Sequence, residues 1–188
     1  NCQKQIQRVI EDISLNTDNF FEEILIIDNI SQDKTIQEAI NSANLIDRKI
    51  KFTVIQNDIN LSLGGSHKVA LEYANKNKFE YMIVIHGDNQ AVFSDLNNYF
   101  LSGDFKKYDC LLGSRFMKGS NLVNYNKIRI IGNIFFNFIF SLLLFKKITD
   151  LGSGLNVFSV NKFYNNNVFN MPNDLTFNYH LILYIAYS

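Results

Sequence analysis

Apolar and polar positions along the chain fall into short, alternating blocks. Ile6, Val9, Ile10 and Ile13 recur at i, i+3, i+4 and i+7, one face of an amphipathic helix. Glu23–Asp28 (EILIID) is a brief apolar run ending in an acid, the pattern of a buried parallel strand. Ser31 and Asp33 follow as candidate caps of a helix whose inner face would be Ile36, Ala39, Ile40 and Ala43. Lys51–Gln56 (KFTVIQ) predicts a second strand. Gly64 and Gly65 open a third helix carrying Val69, Ala70, Tyr73 and Ala74. Tyr81–Ile85 (YMIVI) is the clearest strand, Ser94 would cap the helix after it, and Tyr108–Leu112 (YDCLL) predicts a further strand closed by Gly113. Strands alternating with helices predict an α/β fold with a mostly parallel sheet covered on both faces. Open sheets of that kind bind ligands at the carboxyl ends of their strands. Asp28, the His86-Gly87-Asp88 turn and Gly113-Ser114-Arg115 would meet at that edge.

The second half changes character. Ile130–Phe145 (IIGNIFFNFIFSLLLF) is mostly apolar but interrupted by Gly132, Asn133, Asn137 and Ser141, with Lys127 and Arg129 before it and Lys146 and Lys147 after it. A membrane span needs about 20 apolar residues. Three readings are open over residues 128–147: a buried core helix, a helix lying on a membrane surface with its basic ends turned to head groups, or a span. At 188 residues the chain is about one domain, and both its beginning and its end read as cut from something longer. Lys and Arg number 18 against 18 Asp and Glu, so bulk attraction to nucleic acid is not expected. The two cysteines, Cys2 and Cys110, have neither metal-ligand spacing nor a disulfide framework and read as free thiols of a reducing compartment. Nothing in the sequence specifies an oligomeric state.

Three clusters could carry chemistry. Asp28, one position past a strand, can accept hydrogen bonds from a base or a ribose, whereas Asp33 reads as a cap. In His86-Gly87-Asp88-Asn89-Gln90, a carboxylate and an amide two residues apart offer hard oxygens to Mg²⁺ or Mn²⁺ on a diphosphate; the competing reading is a polar turn. In Asn60–Lys68 (NLSLGGSHK), glycines entering a helix allow close backbone approach, and helix N-termini suit anions; alone, such a segment would be a turn. Arg115 and Arg129 could clamp phosphates bidentately or be ordinary surface arginines.

Taken in order, these segments resemble the family-2 glycosyltransferases, above all the branch similar to dolichol-phosphate mannose synthase and bacterial polyprenyl-phosphate glycosyltransferases. Ile27–Asp33 resembles the family's Asp-Asp-Gly-Ser-x-Asp run, Asn60–Lys68 its Asn-x-Gly-x-Gly segment, and His86–Gln90 its Asp-Ala-Asp-Gly-Gln. Gly113-Ser114-Arg115-Phe116 resembles its Gly-Ser-Arg-aromatic, and Asp150-Leu151-Gly152-Ser153-Gly154 its Asp-x-x-Ser-Gly. Asn1–Ile13 resembles the segment after the family's first strand, so that strand is expected to be missing. The resemblance implies a nucleotide-diphospho-sugar transferase (GT-A) fold over residues 1–188 and inverting transfer from a nucleotide-sugar donor. It implies nucleotide-sugar contacts from Asp28, Asn29, Asn60, Gly64, Lys68 and Asp88. Mg²⁺ or Mn²⁺ would sit on Asp88 and Gln90, phosphates would face Arg115 and Arg129, and Asp150 would lie near the acceptor, as its general base if the acceptor is a hydroxyl. The implied acceptor is a polyprenyl phosphate at the cytoplasmic face of a membrane. A saccharide or protein acceptor, or a nucleotide-binding relative without catalysis, stands as the alternative. The departures are His86 in place of the first acid, Ile30 and Ser62 in place of glycines, and Leu155-Asn156 in place of an aromatic and Arg.

Overall fold

The computed structural model describes residues 1–16, 21–46, 50–117, 119–120, 126–164 and 167–187. Helix α1 (Ile6–Leu15) buries the four predicted residues Ile6, Val9, Ile10 and Ile13. Strand β1 (Glu23–Asp28) pairs in parallel with β2 (Lys51–Gln56), Glu23 opposite Lys51 and Asp28 opposite Gln56. Helix α2 (Thr35–Ser42) lies between them in the chain, with Asp33 accepting from the Thr35 N–H at 3.0 Å as the predicted cap. Its inner face is Thr35, Ala39 and Ser42; Ile40, predicted to point inward, is 48% exposed. Helix α2 packs against α1.

Helix α3 (Ser62–Lys76), β3 (Tyr81–Ile85), α4 (Asn97–Ser102) and β4 (Cys110–Leu112) follow. Ser94 caps nothing. Asp12 of α1 instead accepts from the Phe93 N–H at 2.5 Å, so the turn before α4 is capped across the core. After α5 (Lys127–Leu144) comes β5 (Leu155–Ser159), a strand the hydrophobic pattern did not indicate. It inserts between β3 and β4 and runs antiparallel to both. The expected single, mostly parallel sheet is therefore two sheets: parallel β1-β2 and antiparallel β3-β5-β4. The direction reverses because the long excursion from Gly113 to Gly154 brings the chain back at the edge it left.

Two apolar clusters cover the faces of these sheets. One joins α1 and the turn before α4 to β1, β3 and β5 through Ile10, Ile24, Phe93, Phe100 and Val157. The other joins α3, α6 (Val160–Tyr164) and α7 (Phe177–Tyr187) through Leu71, Phe158, Phe163, Phe177 and Leu181. Adjacent residues Val157 and Phe158 of β5 point into opposite clusters, 2% and 1% exposed, as strand alternation requires. Each such side chain contributes about 1.5–3 kcal/mol by burial.

Helix α5 packs little. Its protein-facing side carries Asn133, Asn137, Ser141 and Leu144, with Asn137 donating to the Thr149 carbonyl at 2.8 Å and Ser141 exchanging hydrogen bonds with Ile148. Its outward side carries Ile128, Ile131, Phe135, Phe138 and Leu142, all exposed. The polar interruptions that argued against a continuous span thus face the protein, and the apolar stripe faces out. Among the described residues little of α5 is buried.

Candidate active site

Because β3 and β4 are both antiparallel to β5, their carboxyl ends lie where β5 begins. The His86 N–H donates to the Gly154 carbonyl and the Gly113 N–H to the Leu155 carbonyl, both at 2.9 Å. Residues 1 and 2 bring the end of β1 to the same place. The Asn1 side chain accepts from the Gln32 N–H at 2.6 Å, and the Cys2 N–H donates to Thr35 Oγ1 at 2.7 Å. A Cβ placed on Gly87 would lie 3.6 Å from Cys2 Sγ. The predicted clusters after β1, β3 and β4 therefore converge on one edge.

At its centre is an ion pair. Arg115 donates to Asp150 through Nε (2.8 Å, to Oδ2), Nη2 (2.8 Å, to Oδ1) and its backbone N–H (2.9 Å, to Oδ2). The Gly152 N–H adds a fourth bond to Oδ1 at 2.9 Å. The Asp150 side chain is 1% exposed, that of Arg115 20%. Four donors saturate the lone pairs of a carboxylate. In this arrangement the Asp150 carboxylate fixes the Arg115 guanidinium. The Phe116 ring lies 5.4 Å from Arg115 Cζ.

Asp88 is exposed, its Oδ1 accepting from the Gln90 N–H at 3.1 Å; Asn89 between them has φ 58° and Gln90 is exposed. His86 is partly buried, with Nε2 buried and unpartnered. Burial lowers the His86 pKa; the Asp88 charge opposes the shift and Arg115 reinforces it. Among the described residues no three His, Cys, Asp or Glu side chains form a metal cage. Asp88 and Gln90, the two expected metal ligands, are both exposed on this turn, whereas the His86 Nε2 is enclosed.

The remaining predicted residues are placed less simply. Asp28 is 3% exposed and its Oδ2 accepts from the Ser31 N–H (3.0 Å) and Gln56 Nε2 (3.3 Å), so it shapes its own loop. Asn29 donates to Asn60 Oδ1 at 2.7 Å and accepts from Asn57 Nδ2 and the Leu61 N–H, which clips the ends of β1 and β2 to the start of α3. Gly64 and Lys68, expected at the nucleotide sugar, meet the segment after α6. The Gly64 N–H donates to the Asn173 carbonyl at 2.7 Å, and Lys68 Nζ reaches the Met171 carbonyl and Asn173 Oδ1. A Cβ on Gly64 would lie 2.5 Å from the Pro172 oxygen, so this glycine is required by close packing of the segment after α6. Arg129 lies in the exposed first turn of α5.

Sequence reasoning missed three participants. The 171–173 segment on α3 has no motif. His67 of α3, with Nδ1 2.9 Å from the Leu63 carbonyl, stands edge-on to His86 at 6.2 Å between ring centroids; a lone histidine on an apolar helix face gives no signal. Asn156, one of the departures, is buried in β5, where it accepts from the Gly113 N–H (3.3 Å) and donates to the Ser153 carbonyl (3.1 Å).

A family model described as glycosyl transferase family 2 matches residues 1–165. The chain is also similar to an uncharacterized protein of Methanocaldococcus jannaschii, at 30% identity over 139 residues, 74% of this chain and 54% of that protein. The chain thus spans about half the length of the curated relative it matches.

Proposed function

This chain belongs to glycosyl transferase family 2, and from that premise we propose that it moves a hexose from a nucleotide-sugar donor to a polyprenyl-phosphate-type lipid, with inversion, at the cytoplasmic face of a membrane. Family membership implies a GT-A fold, a nucleotide-sugar donor and an acceptor. The observation that carries the lipid reading is α5. Its exposed apolar side is flanked by Lys127, Arg129, Lys146 and Lys147, and its polar side is tied to Ile148 and Thr149, immediately before Asp150. A helix that turns its apolar side outward and its basic ends to anionic head groups is stabilised at a lipid surface. Such a surface would hold a lipid acceptor beside the Arg115–Asp150 pair. The free thiols of Cys2 and Cys110 suit the reducing side of that membrane.

In the reaction the acceptor oxygen forms a bond to the anomeric carbon while the bond from that carbon to the donor diphosphate oxygen breaks. Arg115, held rigid by Asp150, is placed to stabilise charge developing on the leaving diphosphate. Asp88 and Gln90 would hold Mg²⁺ or Mn²⁺, which would supply charge neutralisation of the same group. A phosphomonoester has its second pKa at about 6 and is already anionic near neutrality. It needs no general base, which agrees with an Asp150 carboxylate whose lone pairs are filled. A sugar hydroxyl acceptor would need one.

The test supplies the full chain in vesicles with polyprenyl phosphate and a panel of nucleotide sugars, with Mn²⁺ or with chelator, and identifies products by mass spectrometry. A metal-dependent glycosylated lipid is expected. Transfer to soluble saccharides or proteins alone would overturn the lipid reading. Donor binding without any transfer would make the chain a non-catalytic relative.

A further inference from the structure

We propose that Asn137 of α5 is a positioning residue of the transfer reaction: its amide sets the backbone from which Asp150 holds Arg115. This deepens the transferase reading above and rests on it. Asn137 stands in a mostly apolar helix, yet it is buried, at 6% exposed. Burying an amide is costly unless it is hydrogen-bonded. Here the Asn137 Nδ2 donates to the Thr149 carbonyl at 2.8 Å. Ser141, one turn further along the same side of the helix, accepts from the Ile148 N–H at 2.9 Å and reaches the Ile148 carbonyl at 3.2 Å. Residues 147–150 form neither helix nor strand. The hydrogen bonds described for the backbone of Ile148 and Thr149 run to these two side chains of α5.

The Thr149 carbonyl and the Asp150 Cα belong to one peptide unit, which is planar and stiff. Holding that carbonyl therefore orients the backbone that carries the Asp150 side chain. The Asp150 carboxylate in turn accepts from Arg115 Nε, Nη2 and N–H at 2.8–2.9 Å. A two-pronged contact of this kind depends on how the carboxylate and guanidinium planes meet. The Gly152 N–H steadies the carboxylate from the residues that follow it. Asn137 steadies it from the residues that precede it. The chain of contacts from Asn137 to Thr149, Asp150 and Arg115 thus joins the polar side of α5 to the guanidinium placed at the leaving group.

The test compares the full wild-type chain with Asn137→Leu, which is similar in size and lacks the donor. Ser141→Ala removes the neighbouring tie and serves if the first variant does not fold. Asn137→Leu should lower kcat about tenfold and leave KM for the nucleotide sugar within about twofold, because Arg115 acts on charge that develops in the transition state. In an Asp150→Asn background the same substitution should cost less than about twofold, since its route to Arg115 is already cut. Nitrogen-15 spectra of the arginine Nε–H groups, assigned with Arg115→Lys, read the pair without turnover. Exchange of the Arg115 Nε–H with water should rise about tenfold in Asn137→Leu and by a smaller factor in Ser141→Ala. Equal losses of kcat with and without the Asp150 carboxylate overturn the proposal, as does an Arg115 Nε–H that exchanges at the wild-type rate in both variants. If the wild-type chain transfers no sugar to any acceptor, the transferase reading falls, and the Nε–H exchange alone decides whether Asn137 sets the pair.

Discussion

Ile30 and Ser62 stand where the family resemblance has glycines, and both hold φ in the left-handed region, at 57° and 56°. The loops keep the backbone shape that glycine would adopt freely. A β-branched residue pays for this: the left-handed conformation costs roughly 1–2 kcal/mol for an L-residue, against 0.5–1 kcal/mol of extra unfolded-state entropy for glycine. Ile30→Gly should therefore stabilise the protein by about 0.5–1 kcal/mol, seen as a higher urea midpoint. The Arg115–Asp150 pair yields a second prediction. If Asp150 acts by holding Arg115, Asp150→Asn and Arg115→Lys should each lower turnover roughly a hundredfold, and the double variant should be little worse than either. Additive losses in that cycle would instead give Asp150 a separate role. Neither effect was legible from residue type, since an aspartate near the acceptor motif suggests a base until its four donors are seen.

At the scale of elements, α5 turns on which side is polar. Phe138 and Leu142 are 64% and 63% exposed, while Asn137 is buried. Replacing Phe135 and Phe138 by serine removes apolar surface from the outward side without touching the bonds to Ile148 and Thr149. Sedimentation with anionic vesicles should show partitioning fall by about tenfold or more, at about 25 cal/mol for each Å² of apolar surface no longer buried, with the urea midpoint nearly unchanged. Loss of folding without loss of binding would mean that α5 packs on protein. The inner face of α1 was readable because its periodicity matches its burial, and β1, β2 and β3 because each is a short strand-forming run. Strand β5 was not, because Gly152, Ser153, Gly154 and Asn156 break an apolar run whose place between β3 and β4 is set by long-range pairing.

At the scale of the molecule, buried titratable groups make stability depend on pH. Burial drives the His67 pKa down to about 4, with the Leu63 carbonyl opposing and His86 reinforcing the shift. Between pH 6.5 and about 4 the unfolded chain therefore binds a proton that the folded one refuses. Stability should be full above pH 6.5 and decline towards pH 4 by up to roughly 3 kcal/mol from this group. Chemical denaturation at pH 7 and pH 4.5 measures the slope, which His67→Gln should make shallower. Glu23 acts in a lower window. Burial opposes its ionisation, but hydrogen bonds from Thr53, Tyr73 and Lys51 hold its carboxyl below the ordinary value of 4.5, and their contribution is lost as pH falls through that range.

What the sequence by itself determined is local or repeats at short range: the inner face of α1, three of the strands, the Asp33 cap, and the order of polar clusters that marks the family. Those follow from backbone geometry, which ties side-chain spacing to one face of a helix or strand. Only the tertiary structure decided the antiparallel entry of β5, the saturation of Asp150 by Arg115 and Gly152, the commitment of Gly64 and Lys68 to the 171–173 segment, and the outward turn of the apolar side of α5. Each of these depends on partners far apart in the chain, for which composition and spacing carry no signal.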